Sequence, residues 1–454
     1  MVNYGDQSIP HPGIDSAWPL FDTMFKRRSR RLSVGAEIPG GATKFRSENA
    51  PAPLDEVEEA FLVWGATGVT GNVLGDLPFR DDENQDAGGN TIMTWRGLTY
   101  ASPCASHETR LIYWNDEGTY FVKYENVDPT KVLEFETKSD WEKVLRFARA
   151  SKVKLFDGRP EFPHTRGVML PFNLWDSDIP GSTMFLPVLD CTYETINTLL
   201  LAIGYGTGAA VVDDVGGSNK YAGCERWVKS GLLDEKRAIP LSSLGTVSVV
   251  EIGFMMQNLQ LAIQAMGLGG WVHAAPHPLV MMGGTPMAKG LGFRFDTPRY
   301  SIPKQAGFGG PIPVGLDGFI EPFMPPYYAN MDAAVDAVVD LKFGTKGIYT
   351  PGSPPTALRD QEGFMADVPP HTEDVIQCVK DIVNYAWDNY GRFPVGTDPI
   401  QTHSWFQAHH LDLDFYDQFY TEGAYTETQR EHTEMWHSAA AKGAIESLMA
   451  GAAP

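Results

Sequence analysis

The spacing of apolar and polar residues along the chain predicts several amphipathic helices. Val57, Phe61 and Trp64 share one face of the stretch LDEVEEAFLVWGATG, and acidic residues occupy its first turn. Apolar positions three and four residues apart, preceded by acids, are typical of a helix that buries one side. The same criteria predict five further helices, at residues 139–151, 192–206, 252–266, 330–344 and 371–393.

Shorter apolar runs bounded by turn residues predict strands. TRLIYW (109–114) and TYFVKY (119–124) flank the turn NDEG (115–118), which predicts a β-hairpin. Further strands are predicted within residues 91–100 and 208–217, and residues 152–182 are predicted to form a long loop. Long helices mixed with hairpin strands indicate the α+β class. We place a domain boundary near residue 328, between domain 1–328 and a mostly helical extension, 329–454.

Composition narrows the functional classes. The chain has 454 residues, and its 57 acidic against 36 basic residues give a net charge of −21. That charge repels nucleic acids and anionic membranes, so we expect neither as a partner. Four scattered cysteines form no CxxC pair, which favours a reducing, cytoplasmic location. We predict no transmembrane segment, because the most apolar helix is shorter than the roughly 20 residues that a bilayer requires.

A dense basic run, RRSRR (27–31), is the first candidate for chemistry. In an extended segment Arg27, Ser29 and Arg31 point to the same side, and Arg28 and Arg30 point away to solvent. Two guanidinium groups and a hydroxyl are the groups that bind a phosphate. The alternative is a solvated basic patch, the usual fate of a charge run.

Two loops of small residues are the next candidates. Ala101–Ser106 follows a predicted strand, and such a loop allows a planar ligand to approach the backbone; an ordinary turn is the alternative. The helix at 252–266 ends in Gly267, Gly269 and Gly270, three glycines where one would suffice for a C-cap. We therefore expect bare backbone amides there to face a ligand.

Together, these segments resemble the nitroreductase superfamily of flavoproteins, from about residue 25 to about residue 273. RRSRR is similar to the family's phosphate motif, and EVEEAFLVWGATGVTG to the helix that follows it. SPCASH with its hairpin and IGFMMQNLQLAIQAMGLGGW look like parts of the thiazoline/oxazoline dehydrogenase branch. A stretch near 125–185 has no counterpart and is interpreted as an insertion.

The resemblance implies an FMN-dependent oxidoreductase with a nitroreductase-like α/β/α sandwich and an antiparallel-rich sheet, working as a homodimer with FMN at the subunit interface. FMN would exchange a hydride through N5 with NAD(P)H or a small organic substrate. By the same resemblance Arg27, Ser29 and Arg31 would hold the phosphate. The ring or ribityl would meet the loop residues and the glycine strand: Ser102, Cys104, Ala105, Ser106, Gly269, Gly270 and Trp271.

Some residues depart from the family pattern. Cys104 and Ser106 stand where the family has Ser and Gly, and the second phosphate-binding base has only Lys289 and Arg294 as candidates by position. His273 is the candidate for proton transfer because it follows the glycine turn. The departures leave open a flavin-free binding or assembly protein on the same scaffold.

The tail concentrates histidines. His403, His409, His410, His432 and His437 lie within the last 52 residues, near several carboxylates. These are ligand types for zinc or iron, but no pair has the HExxH spacing, so no metal ligand is assigned. A metal-dependent enzyme stays as an alternative, beside plain helix packing.

Overall fold

The structure is a computed structural model. It describes residues 12–73, 94, 96–127, 140–205, 208–216, 220–297, 311–351, 353, 356 and 358–437. For residues 12–18, 436 and 437 it describes the backbone only. Helices and strands are both abundant and the largest sheet is antiparallel, which agrees with the α+β prediction. The predicted strand at 91–100 and the capping residue Ser139 fall partly or wholly outside the described residues.

The helices agree closely with the predicted segments. Those at 56–67, 192–204, 250–266 and 373–390 match the amphipathic patterns to within a few residues. The described helices are α1 (Pro12–Lys26), α2 (Glu56–Thr67), α3 (Trp141–Ser151), α4 (Thr192–Gly204), α5 (Glu225–Ser230), α6 (Val250–Met266), α7 (Pro278–Met282), α8 (Met331–Phe343), α9 (Gln361–Asp367), α10 (Glu373–Tyr390), α11 (Leu413–Phe419) and α12 (Glu427–His437).

Strands account for most of the remaining regular structure. The first eight are β1 (Glu37–Ile38), β2 (Phe45–Arg46), β3 (Val69–Asn72), β4 (Arg96–Leu98), β5 (Thr109–Trp114), β6 (Gly118–Val122), β7 (Lys152–Asp157) and β8 (Thr183–Asp190). The others are β9 (Ala209–Asp213), β10 (Lys220–Tyr221), β11 (Asp234–Pro240), β12 (Gly269–His273), β13 (Arg294–Asp296), β14 (Ile312–Gly315), β15 (Ile400–Gln401) and β16 (Trp405–His409). β7 corrects the prediction that residues 152–182 are loop throughout.

The main sheet has the order β12–β16–β8–β5–β6–β7, with β15 also paired to β8 and every pairing antiparallel. The predicted hairpin forms its centre, as β5 and β6. β15 and β16 come from beyond residue 328, so the sheet crosses the predicted domain boundary. The region beyond residue 328 therefore contributes a strand to the main sheet as well as helices, because β16 is enclosed between β12 and β8.

Alternation along β5 explains how the sheet is buried on both faces. Leu111 and Tyr113 pack with α2 and α6, whereas Ile112 and Trp114 pack into a second cluster on the opposite face. Successive side chains of a strand point to opposite faces, so an apolar run of this length marks a doubly covered strand. A third cluster, built mainly from α4, α8 and α10, lies against β9.

The residues 241–266 are long and apolar enough to cross a membrane, judged by length and composition, and 44% of the most apolar window is buried. The α6 portion packs against α2, β8, β12 and β16 within the fold. Core helices of globular proteins can have the same length and the same apolar composition, so this segment is weak evidence for a membrane span.

Candidate functional site

The basic run and the glycine strand lie side by side. The segment leaves α1 and pairs with β12, where Gly270 N donates to the Arg30 carbonyl oxygen at 2.9 Å. Arg28 N donates to Gln264 Oε1 at 2.7 Å, which fixes the start of the segment against α6. The basic run and the glycine strand, two of the three segments predicted to bind flavin, are therefore neighbours.

The arginine side chains do not all point as an ideal extended segment predicts. Arg27 Nη1 lies 3.4 Å from Ser29 Oγ, and both side chains are exposed, so these two converge at the surface. Arg31 instead binds buried Asp176 through two bonds of 2.7 and 2.9 Å, and its guanidinium lies 4.6 Å from the Trp271 ring centre. Much of the charge of Arg31 is thus already neutralised within the chain.

Arg30 corrects the expectation that it faces solvent. Its guanidinium bonds the Ala424 carbonyl oxygen and lies 5.7 Å from the ring centre of Tyr416. It helps to form a cleft of about 270 Å³ whose lining includes Ser29, Arg30, Arg31, Trp175, Tyr416 and Tyr420. The aromatic walls could not be predicted from the sequence, since nothing near Trp175 or Tyr416 marks them as neighbours of the basic run.

The glycine turn serves the protein's own packing. Gly267 has φ 83° and ends α6, as a C-cap glycine should. A Cβ on Gly269 would lie 2.3 Å from Leu411 Cδ2, and one on Gly270 would lie 2.3 Å from the Gln407 carbonyl oxygen. Side-chain-free backbone is required here because β16 and the residues after it approach closely. Gly270 N is bonded to the Arg30 carbonyl oxygen, so this amide is used within the chain, and a ligand-binding role of the two glycines stays a prediction.

Trp271 and His273 are buried in an aromatic stack. Their ring centres are 5.0 Å apart, and the Trp405 ring meets the edge of His273. Burial and the charge of Arg31 lower the pKa of His273 to about 4. The imidazole is therefore neutral at physiological pH and a weak proton acceptor, which does not suit the predicted proton-transfer role.

The small-residue loop is tied to buried carboxyl groups. Ser106 Oγ donates to Glu194 Oε2 at 3.2 Å, and Ser102 Oγ accepts from Ser106 N at 3.2 Å. Burial and the neighbouring Glu194 raise the pKa of the Cys104 thiol to about 12, so it is not a thiolate nucleophile. Ala105 adopts φ 53°, a left-handed conformation uncommon outside glycine. The loop is thus a defined structure, held by acidic partners.

The loop and the glycine turn lie at opposite ends of α6. Glu251, in the first turn of this helix, accepts hydrogen bonds from Glu108 N and Thr109 N, both at 3.0 Å, next to the loop. The turn follows the last residue of the same 17-residue helix, so about 25 Å of helix axis separates the two regions. A single chain therefore does not bring the small-residue loop next to the basic run and the glycine turn.

The two candidates for a second phosphate-binding base lie elsewhere. Arg294 pairs with Asp317 at 2.7 Å. Lys289 lines a different cleft, together with Arg159 and His164. Neither belongs to the cleft at Ser29–Arg31.

A second cluster of polar side chains contains two tail histidines and a glutamate of α2. Glu58 Oε2 lies 2.9 Å from His410 Nε2, and Glu58 Oε1 lies 3.1 Å from His432 Nε2. All three side chains are buried, with exposed fractions of 0%, 6% and 3% for Glu58, His410 and His432. The sequence grouped the two histidines, but Glu58 is distant in the chain and was missed. His403 is exposed, and the side chain of His437 lies outside the described residues.

Comparisons with known proteins give little more. The sequence matches no protein-family model, and no curated protein is significantly similar to it. Among solved structures, the chain is similar to one titled a "putative nitroreductase" from Ralstonia eutropha JMP134, at 12% identity. The alignment covers 60% of this chain and 74% of that one, with a TM-score of 0.23. A likeness this slight establishes neither family nor function.

Proposed function

We propose that the protein is an FMN-dependent oxidoreductase, with the phosphate end of FMN held at the cleft beside the basic run. The observation that carries this proposal is that Ser29 lines a cleft together with Arg30, Trp175 and Tyr416, and that the Arg27 guanidinium converges on the Ser29 hydroxyl. Guanidinium and hydroxyl groups suit a phosphate, and flat aromatic walls suit a conjugated ring. When bound, FMN would supply hydride exchange with NAD(P)H or an organic substrate.

The residues fit the two ends of FMN unequally. The phosphate end fits, because Arg27 and Ser29 converge at the surface with no acidic partner among their described hydrogen bonds. The ring does not fit over Gly269 and Gly270, because Leu411 and the Gln407 carbonyl fill the space and Gly270 N is bonded to Arg30. In this proposal the ring belongs in the aromatic cleft, and the glycines have a packing role only.

A nitroreductase-like sandwich and a homodimer are part of the same proposal. The loop at Ser102–Ser106 is far from the basic run in one chain, so it would reach a flavin only from a second copy. Apolar side chains exposed on α1 offer a surface for that copy. The four cysteines are unpaired thiols, three of them buried, which supports the cytoplasmic location that we propose.

Flavin binding tests the proposal directly. The full-length chain is purified, its visible absorbance is recorded, and FMN and riboflavin are titrated while the melting temperature is followed. We expect Arg27→Ala to weaken FMN binding by roughly 10-fold or more and to leave riboflavin binding unchanged, because only FMN has the phosphate. Arg237→Ala, which removes an exposed guanidinium paired with Asp234, is the matched control.

A flavin-free binding protein is the second candidate. The observation that favours it is the closed glycine turn, together with a loop held by Glu194. A colourless protein whose melting temperature does not respond to FMN would reject the oxidoreductase and support this reading.

A further inference from the structure

We propose that Glu58, His410 and His432 form a binding site for a divalent transition-metal ion, for which zinc is the best match. The three side chains come from α2, the segment after β16, and α12, and they meet in the interior. Imidazole and carboxylate are the ligands that zinc shares with other first-row metals. The site is separate from the proposed flavin cleft and does not depend on flavin binding.

The spacing of the ligand atoms suits such an ion. The two Glu58 oxygens lie 2.9 and 3.1 Å from the two Nε2 atoms, and the three ligand atoms are all within 4.8 Å of one another. Metal–ligand bonds of about 2.1 Å at a tetrahedral angle place neighbouring ligands about 3.4 Å apart. Only small side-chain movements are therefore needed to admit an ion among them.

The second ring nitrogen of His432 supports the assignment. Nδ1 lies 2.8 Å from the Met266 carbonyl oxygen, which can only accept, so Nδ1 carries a proton. Nε2 then faces the Glu58 carboxylate either with a second proton or across a cation. A ring N–H bonded to a backbone carbonyl is the usual way in which proteins orient a metal-binding histidine.

A nearby carboxyl group improves the charge balance. Asp55, the N-cap of α2, interacts electrostatically with both Glu58 and His410. Its Oδ2 is buried without a hydrogen-bond partner among the described residues. Two carboxylates with two neutral imidazoles balance a divalent cation, which a buried site requires. Asp55 is thus the natural counter-charge, and a fourth ligand if it turns inward.

The enclosed position defines the role of the ion as structural. His432 touches the end of α6, since a Cβ on Gly267 would lie 2.7 Å from His432 Cβ. His410 is joined to the segment after the basic run through Val34 N, which donates to its carbonyl oxygen at 3.0 Å. The ion would therefore tie α2 to the tail directly beneath the glycine turn.

Metal analysis tests the site. The full-length chain, freed of any polyhistidine tag, is measured by elemental mass spectrometry, stripped with a chelator and titrated with Zn²⁺. We expect roughly one ion per chain and a higher melting temperature with Zn²⁺. Glu58→Gln keeps an oxygen for the Asp55 amide and removes the charge, and it should weaken Zn²⁺ binding at least about 10-fold. His403→Ala, which removes an exposed tail histidine, should bind like the wild type.

A second readout protects the test against variants that fail to fold. Co²⁺ added to the stripped wild type should give the strong visible absorption of a four-coordinate ion with nitrogen ligands. A wild type that binds Zn²⁺ no more tightly than Glu58→Gln, with Co²⁺ absorbing as it does in buffer, would overturn the proposal. The cluster would then be an imidazolium–carboxylate pair only.

Discussion

At the scale of single residues, burial changes the chemistry of the acidic side chains near the loop. Glu251 accepts three hydrogen bonds, from Glu108 N, Thr109 N and Thr109 Oγ1. Even so, the loss of solvation on burial raises the pKa of its carboxyl to about 7. The contacts beside the small-residue loop therefore depend on pH near neutrality.

Glu251→Gln should change the pH dependence of stability. The pKa of about 7 in the folded protein lies above the ordinary value of about 4.5 for a glutamate, so the folded state binds the proton more tightly. The stabilisation is complete below about pH 4.5 and is lost as the pH rises through about 7. From about pH 5 to about pH 8 the wild type should lose roughly 2 kcal/mol relative to the variant in urea unfolding. A difference that stays constant with pH would contradict this account.

Residue patterns in the sequence predicted local structure better than site chemistry. The acids that begin α2 were read correctly as a helix start, and Asp55 and Glu58 do form a reciprocal capping box. The further role of Glu58 beside His410 and His432 was invisible, since those partners lie far away in the chain. A sequence pattern predicts contacts between residues a few positions apart. The ligands of the candidate metal site come from segments that are distant in the sequence, so no such pattern marks them.

At the scale of elements, the glycines at the end of α6 serve the packing of the chain itself. Three glycines do exceed what a helix C-cap requires. The additional ones admit β16, because a Cβ at Gly270 would overlap the Gln407 carbonyl oxygen, and Gly270 has φ 156°. Glycine was needed for a close approach, but the approaching group is protein rather than ligand.

A pair of alanine substitutions separates the packing role from plain helix propensity. Gly270→Ala should lower the free energy of unfolding by about 2–4 kcal/mol, through backbone strain and the contact with β16. Gly253→Ala, at an exposed site in α6 where a Cβ meets nothing within 4 Å, should raise it by about 1 kcal/mol. Chemical denaturation of the two variants measures both values. Equal effects at the two positions would contradict the packing role.

At the scale of the whole molecule, four apolar side chains of α1 are exposed within the part of the chain that the structure describes. The exposed fractions of Leu20, Phe21, Met24 and Phe25 are 54%, 40%, 49% and 70%. The ring centres of Phe21 and Phe25 lie 6.3 Å apart. A cluster of exposed apolar side chains on one helix is typical of a protein interface. The proposed homodimer would cover this face.

Light scattering after size exclusion tests the dimer. The wild type should have twice the 50.0 kDa chain mass, and the double variant Phe21→Glu/Phe25→Glu should have the mass of one chain, because charged side chains resist burial. Leu341→Glu, on the exposed side of α8, should stay dimeric. A monomeric wild type would reject the homodimer, and with it the second copy that the loop requires.

The sequence alone determined the elements whose signals are local. The α2 cap, the hairpin of β5 and β6, the amphipathic stripe of α10 and the glycine end of α6 each depend on residues a few positions apart. Only the tertiary structure decided which elements meet. It placed β16 inside the main sheet, closed the glycine turn with the tail, paired Arg31 with Asp176, and gathered Glu58, His410 and His432. Those contacts depend on burial and close packing between distant segments, which no local periodicity encodes.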